Sequence, residues 1–232
     1  MIKSRVLLAG ALLAAAGAAN AAVTVTPTVV SDYDFRGISQ SAKDPAFQLS
    51  VNYTHDSGFY AGLWGSNVDF GPGDPNVEVD AFAGFTGGDA KVGLGYDVGV
   101  VYYTYVGERD FNYPEIYAGI NHGPVSAKLF YSWDFGGVGK DAYYITGDGT
   151  FPLGDSGFAA LAHVGYSFGS YWSDIDSEYF DWAVGMQKSF GNFTVQLKYV
   201  DGSDLADGPT HILSTDSKLW ASISTTLPWA AD

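Results

Sequence analysis

The 232-residue chain contains no cysteine. Disulfide frameworks, thiol nucleophiles and cysteine-ligated metal centres are therefore excluded. Basic residues are scarce: 11 Lys and Arg stand against 26 Asp and Glu, for a formal net charge of −15. A field of that sign repels nucleic acid and other polyanions. The four histidines are scattered without metal-ligand spacing, so neither a metal nor a cofactor is expected. Long apolar runs are missing too, apart from Val6 to Ala19. That run follows Lys3 and Arg5 and ends on Ala19-Asn20-Ala21. It is too short for a spanning helix and reads as a cleaved export signal over 1–21.

What the body of the chain, 22–232, has instead is alternation. Phe47-Gln48-Leu49-Ser50-Val51-Asn52-Tyr53-Thr54-His55-Asp56 places apolar side chains at odd positions up to Tyr53 and polar ones at even positions. Period two is strand geometry. Twelve such segments are expected, near 23–39, 46–56, 59–70, 77–87, 90–106, 113–122, 125–135, 142–153, 158–170, 178–190, 192–201 and 217–228. Their connections alternate in length. Short Gly-, Asp- and Asn-bearing turns such as Asp56-Ser57-Gly58 and His122-Gly123-Pro124 follow the even strands. Longer polar loops, such as 70–76 and 201–216, follow the odd ones. That rhythm predicts an all-β, transmembrane, antiparallel up-and-down barrel with turns at one end and loops at the other. Short turns belong on the periplasmic side, with both termini, which an even strand count requires.

A soluble barrel or sandwich shares the alternation with reversed polarity. Three features favour the membrane: the number of strands, the strict turn and loop rhythm, and aromatics near strand ends (Tyr53, Tyr60, Trp133, Phe135, Phe168, Phe180, Trp182). Lysine in lipid at the midplane would cost roughly 2–4 kcal/mol. The polar face, with Lys91, Asp97, Lys128 and Lys198, is therefore expected in the lumen.

Asp32, Asp34 and Arg36 share one face of the first segment, and the spacing predicts that Arg36 pairs with Asp32 or Asp34. Such a group is either an ion-selecting constriction or an ion pair that makes lumenal charge tolerable. The expected pore lining is Asp32, Asp34, Arg36, Lys91, Asp97, Glu115, Lys128 and Asp134. Further lumenal charges are Asp69, Glu78, Asp80, Asp181, Lys198 and Lys218. The acidic balance predicts a weak cation preference. Twelve strands lie between a lumen filled by side chains and an open channel. A narrow pore and a lumen plugged by Tyr103, Phe130, Tyr144 and the loops both remain open.

Enzymatic readings are poor. His55-Asp56-Ser57 are adjacent in a turn, and neighbours on a strand face opposite ways. His163 lies near Ser167 without a visible third partner, and His122 and His211 read as turn and loop residues. Asp174, Asp176 and Glu178 lack a calcium-loop glycine pattern. The alternative function is a closed barrel acting as a surface-binding or adhesion module, with Tyr171 and Trp172 as loop contacts.

The stretch Ser31-Asp32-Tyr33-Asp34-Phe35-Arg36-Gly37-Ile38-Ser39-Gln40-Ser41 resembles the N-terminal signature of the TorF family of proteobacterial porins. Phe59 to Phe70 (FYAGLWGSNVDF) resembles that family's next block. The resemblance implies a Gram-negative outer-membrane pore and supplies no catalytic residues. Implied partners are outer-membrane lipid and lipopolysaccharide, the outer-membrane assembly machinery, and small solutes or ions. One departure is the end, Leu227-Pro228-Trp229-Ala230-Ala231-Asp232, where many outer-membrane barrels finish on an aromatic.

Overall fold

The computed structural model describes residues 21–71, 73, 75–203 and 215–229. Of the expected export signal only Ala21 lies among them, and His211 lies outside. Among the described residues there are fourteen strands: β1 (Ala21–Val30), β2 (Asp34–Phe35), β3 (Ile38–Ser39), β4 (Ala46–His55), β5 (Phe59–Asn67), β6 (Val77–Gly88), β7 (Gly95–Tyr105), β8 (Tyr113–His122), β9 (Val125–Ser132), β10 (Ala142–Pro152), β11 (Phe158–Phe168), β12 (Tyr179–Phe190), β13 (Phe193–Gly202) and β14 (Lys218–Thr225). Twelve of them close one antiparallel barrel, each beside its neighbours in sequence, with β1 joining β4 on one side and β14 on the other. β2 and β3 form a separate hairpin.

The wall has the polarity of a membrane protein. Mid-strand aliphatics point outward and are more than half exposed: Val164 at 55 %, Val184 at 51 % and Leu197 at 56 %. Lys198, next to Leu197, points inward, and so does Asp181 on β12, which is buried. This is a transmembrane barrel with its greasy face outside and its wet face inside. Exposed aromatics ring the turn end (Tyr53, Phe59, Tyr96, Phe190, Phe193) and the loop end (Phe47, Trp133, Phe180). Two aromatics expected in these girdles are elsewhere. Tyr60 donates to the lumenal Asp97 at 2.5 Å, and Phe135 is buried against Tyr113 and Trp172. At the chain's end, Leu227 bridges Val25, and the indole of Trp229 donates to Thr225 at 2.8 Å.

Two segments depart from the expected strands. The first wall strand stops at Val30 rather than 39, and the next residues turn into the barrel. The fifth wall strand starts at Gly95 rather than 90. Val92 and Gly93 both donate backbone N–H to the Asp89 carbonyl, closing a turn instead of extending the ladder. Lys91 is therefore an exposed turn residue, not pore lining.

Candidate functional site: an inward hairpin and the cavity beneath it

The hairpin of β2 and β3 turns on two residues, Arg36 and Gly37, both at positive φ (55° and 80°). That is the left-handed pair that two-residue hairpins of the primed types require. Gly37 is needed for room as well: a Cβ there would lie 2.6 Å from Asp181 Cβ. Gly37→Ala should cost about 1–2 kcal/mol in backbone strain alone. Tryptic cleavage after the 8 %-exposed Arg36 in the folded barrel should then speed up about 5–30-fold, read by mass spectrometry.

Arg36 does not pair with Asp32 or Asp34, because the turn carries it across the lumen. Its guanidinium makes a bidentate contact to Glu115 on β8, at 2.9 and 2.6 Å. Tyr103 donates to the same carboxylate at 2.9 Å. The guanidinium carbon sits 4.6, 4.9 and 4.5 Å from the ring centroids of Phe35, Phe130 and Tyr144. Tyr103, Phe130 and Tyr144 thus do gather in the lumen, around the hairpin tip. Burial works against the charge, but Glu115 outweighs it and raises the Arg36 pKa, so the side chain stays cationic.

The two aspartates go to another base. Lys218 Nζ lies 2.6 Å from Asp32 and 2.7 Å from Asp34. Burial lifts the Asp34 carboxyl above the usual carboxylate range while Lys218 pulls it down. Ser39 donates to Asp32 at 2.6 Å, the indole of Trp220 donates to the Asp32 carbonyl at 2.8 Å, and Tyr33 donates to Glu78 at 3.3 Å. Hydrogen bonds and ion pairs therefore tie the hairpin to β6, β8 and β14. Glu78, Glu115 and Asp181 all sit near the loop ends of their strands, so the hairpin occupies the loop-end part of the lumen.

Beneath it lies a cavity of about 500 Å³, bounded above by Asp34, Phe35 and Arg36 and lower down by His163, Gln187 and Lys198. His163 has partners that the sequence reading missed. Its Nδ1 is 2.7 Å from Asp148, and its Nε2 is 2.8 Å from Asp181 and 3.1 Å from the Tyr144 hydroxyl. With a carboxylate at each nitrogen, the ring satisfies both by donating from both. Asp97 meets Lys128 at 2.6 Å, with both side chains inside.

Two other residues expected in the lumen, Asp134 and Asp69, lie off the wall. Asp134 follows the end of β9 and accepts from the Gly139 backbone at 2.6 Å. Asp69 is exposed beyond β5 and accepts from Gly71 at 3.0 Å. Trp172 is buried against Tyr179 and Phe135, with Tyr171 on Phe135, so these loop aromatics cap the barrel rather than offering a contact surface. His55 Nδ1 and Ser57 Oγ, 2.9 Å apart, close a turn. Asp174 pairs with Lys140 and Glu178 accepts from Tyr166. Among the described residues no group of three or more acidic or histidine side chains could hold a metal.

Two kinds of likeness bear on this arrangement. A family model described as "Bacterial protein of unknown function (Gcw_chp)" matches residues 14–227. No curated protein matches the chain by sequence. Among solved structures, the NanC porin superposes with a TM-score of 0.57 at 11 % identity, over 88 % of this chain and 98 % of its own. The KdgM porin in complex with disordered oligogalacturonate gives 0.55 at 9 %, over 88 % and 98 %. A second KdgM porin structure gives 0.53 at 8 %, over 90 % and 99 %. At such identities the likeness is one of fold.

Proposed function

The chain belongs to the Gcw_chp family, whose description assigns no activity, and we propose from the barrel itself that it is an outer-membrane channel for ions and small hydrophilic solutes. The observation that carries this reading is a lumen lined with charge behind an apolar wall, narrowed by a hairpin but with a cavity of about 500 Å³ beneath it. The TorF resemblance points the same way. So does the sequence around Ala19-Asn20-Ala21, read as an export signal that delivers the chain to the assembly machinery and to a lipopolysaccharide-bearing membrane.

Passage is passive and filtered by charge. Asp32, Asp34, Asp97, Glu115, Asp148 and Asp181 outnumber Arg36, Lys128, Lys198 and Lys218, which gives the lumen a weak preference for cations. Refolded protein in a planar bilayer under a salt gradient should show discrete conductance steps and a reversal potential of cation-selective sign. An anion-selective reversal potential would remove the charge argument. A folded, heat-modifiable barrel that never conducts would instead support the closed binding module, which the burial of Arg36 and Glu115 in the hairpin's seat favours.

A further inference from the structure

Among the described residues, the bases of the lumen are matched to acids with one exception. Arg36 has Glu115, Lys128 has Asp97, Lys218 has Asp32 and Asp34, and His163 has Asp148 and Asp181. Lys198, inward on β13, has no carboxylate within 4.0 Å among the described residues. It is half-buried and lines the cavity below the hairpin. Its stem crosses Gly185, where a Cβ would come within 2.8 Å of Lys198 Cγ, so the glycine makes room for the chain. Its ammonium rests 4.6 Å from the centre of the Trp220 ring. The acids that face its ammonium, Asp34 and Asp148, border the same cavity but are engaged by other bases, so no carboxylate contacts the lysine and a bound anion can.

The surroundings narrow the ligand. Gln196 stands two residues along on the same face of β13, and its amide donates to Gln187 Oε1 on β12 at 3.3 Å. That bond leaves the Gln187 amide nitrogen and the Gln196 carbonyl free to meet hydroxyl groups. Asp34 and Asp148 also border the cavity, but their oxygens are engaged by Lys218, and by His163 and Thr146. Their negative field disfavours any ligand with more than one negative charge. The volume lies in the range typical of small-molecule sites. We infer that Lys198, Gln187, Gln196 and Trp220 form a binding site for a small hydroxylated monocarboxylate, with its carboxylate on Lys198 and its hydroxyls on the glutamine pair. The inference rests on the channel reading for how the ligand arrives, and the site deepens that reading by naming a solute class.

The test is gluconate binding to the refolded full-length barrel in detergent at constant ionic strength, followed by indole fluorescence, with uncharged sorbitol as control. Gluconate should give a saturable change that sorbitol does not, and Trp220→Phe should abolish the signal. Lys198→Gln should weaken binding about tenfold or more, the usual loss with a charge-assisted hydrogen bond. Lys198→Arg should retain it. Should Lys198→Gln fail to fold, judged by heat-modifiable migration, Gln196→Leu serves as the second variant and should also weaken binding. Equal responses to gluconate and sorbitol, or wild-type affinity in a folded Lys198→Gln barrel, would overturn the site. A barrel that conducts in the bilayer yet fails this test loses the site alone. One that binds gluconate and does not conduct keeps the site and loses the channel.

Discussion

Replacing Glu115 with Gln should release the hairpin from the lumen while leaving the wall intact. Arg36 would then be a buried cation without its acid, and removing one member of a buried pair typically costs about 3–5 kcal/mol. The wall is held by eleven further strand pairings besides β7 with β8, and Glu115 takes no side-chain part in them. The cost therefore falls on docking of the hairpin, whose contacts with the wall are made by side chains. The absence of cysteine from the chain makes this directly measurable. A single Ser39→Cys variant places a thiol at a position fully buried in the docked hairpin. Maleimide labelling of that thiol then reports undocking. In the Glu115→Gln background it should be faster by roughly 100-fold or more, if labelling tracks the open population. Labelling at the parent rate would mean that Lys218 and the aromatic cage hold the hairpin without Glu115. The double variant Arg36→Met, Glu115→Leu sharpens the argument. With both charges replaced by apolar groups, no buried ion is left uncompensated, and labelling should return to within about tenfold of the parent.

That latch was half legible in the sequence. Glu115 and Arg36 were both readable as lumenal, but not as partners. Period two runs unbroken from Asp32 to Arg36, and a segment that turns inward alternates there just as a wall strand does. Periodicity alone could not say that the chain leaves the wall at Val30. The signal that could have said so is local: Gly37 just after Arg36 and before Ile38, where a two-residue turn needs its glycine. The outward faces were legible throughout, because Val98, Leu129 and Leu197 alternate with residues that lipid does not tolerate. Pairings across the lumen were not. Asp97 and Lys128 meet over Gly119 of the intervening β8, which lies opposite both, so two successive hairpin registers have to be counted to find them. The contact of Asp148 with His163 is different. Those two are directly opposite on β10 and β11, so counting back from the turn at 153–157 reaches it. Lys91 misled because Lys91-Val92-Gly93-Leu94 mimics a strand. Val92 is instead 85 % exposed in a turn closed by the Asp89 carbonyl.

Excising the hairpin should widen the pore, and the structure shows where to cut. Gln40 N–H donates to the Tyr33 carbonyl at 2.7 Å, so the chain is already paired across the base of the hairpin. Replacing 34–39 with Asn-Gly would close that base as a two-residue turn of the favoured kind. The excision removes Phe35 and Arg36 from between Tyr103, Phe130 and Tyr144, and it leaves Glu115 facing water. A twelve-strand lumen without an inserted segment has more free cross-section than an eight-strand one, which side chains fill. Single-channel conductance should therefore rise severalfold over the intact protein. The reversal potential in a salt gradient should move further toward the cation side, because a carboxylate formerly neutralised by Arg36 now lines an open path. Asp34 leaves with Arg36, so the net lumenal charge is unchanged; the shift comes from Glu115 standing unpaired in the open path, while Lys218 keeps Asp32 as its partner. Unchanged conductance in a folded, heat-modifiable excision variant would place the constriction elsewhere, most directly at the loop aromatics Tyr171 and Trp172, which cap the same end of the barrel. A large rise with no change in selectivity would instead separate the hairpin's steric role from its charge. The ion pair would then hold the plug in place without acting as the filter.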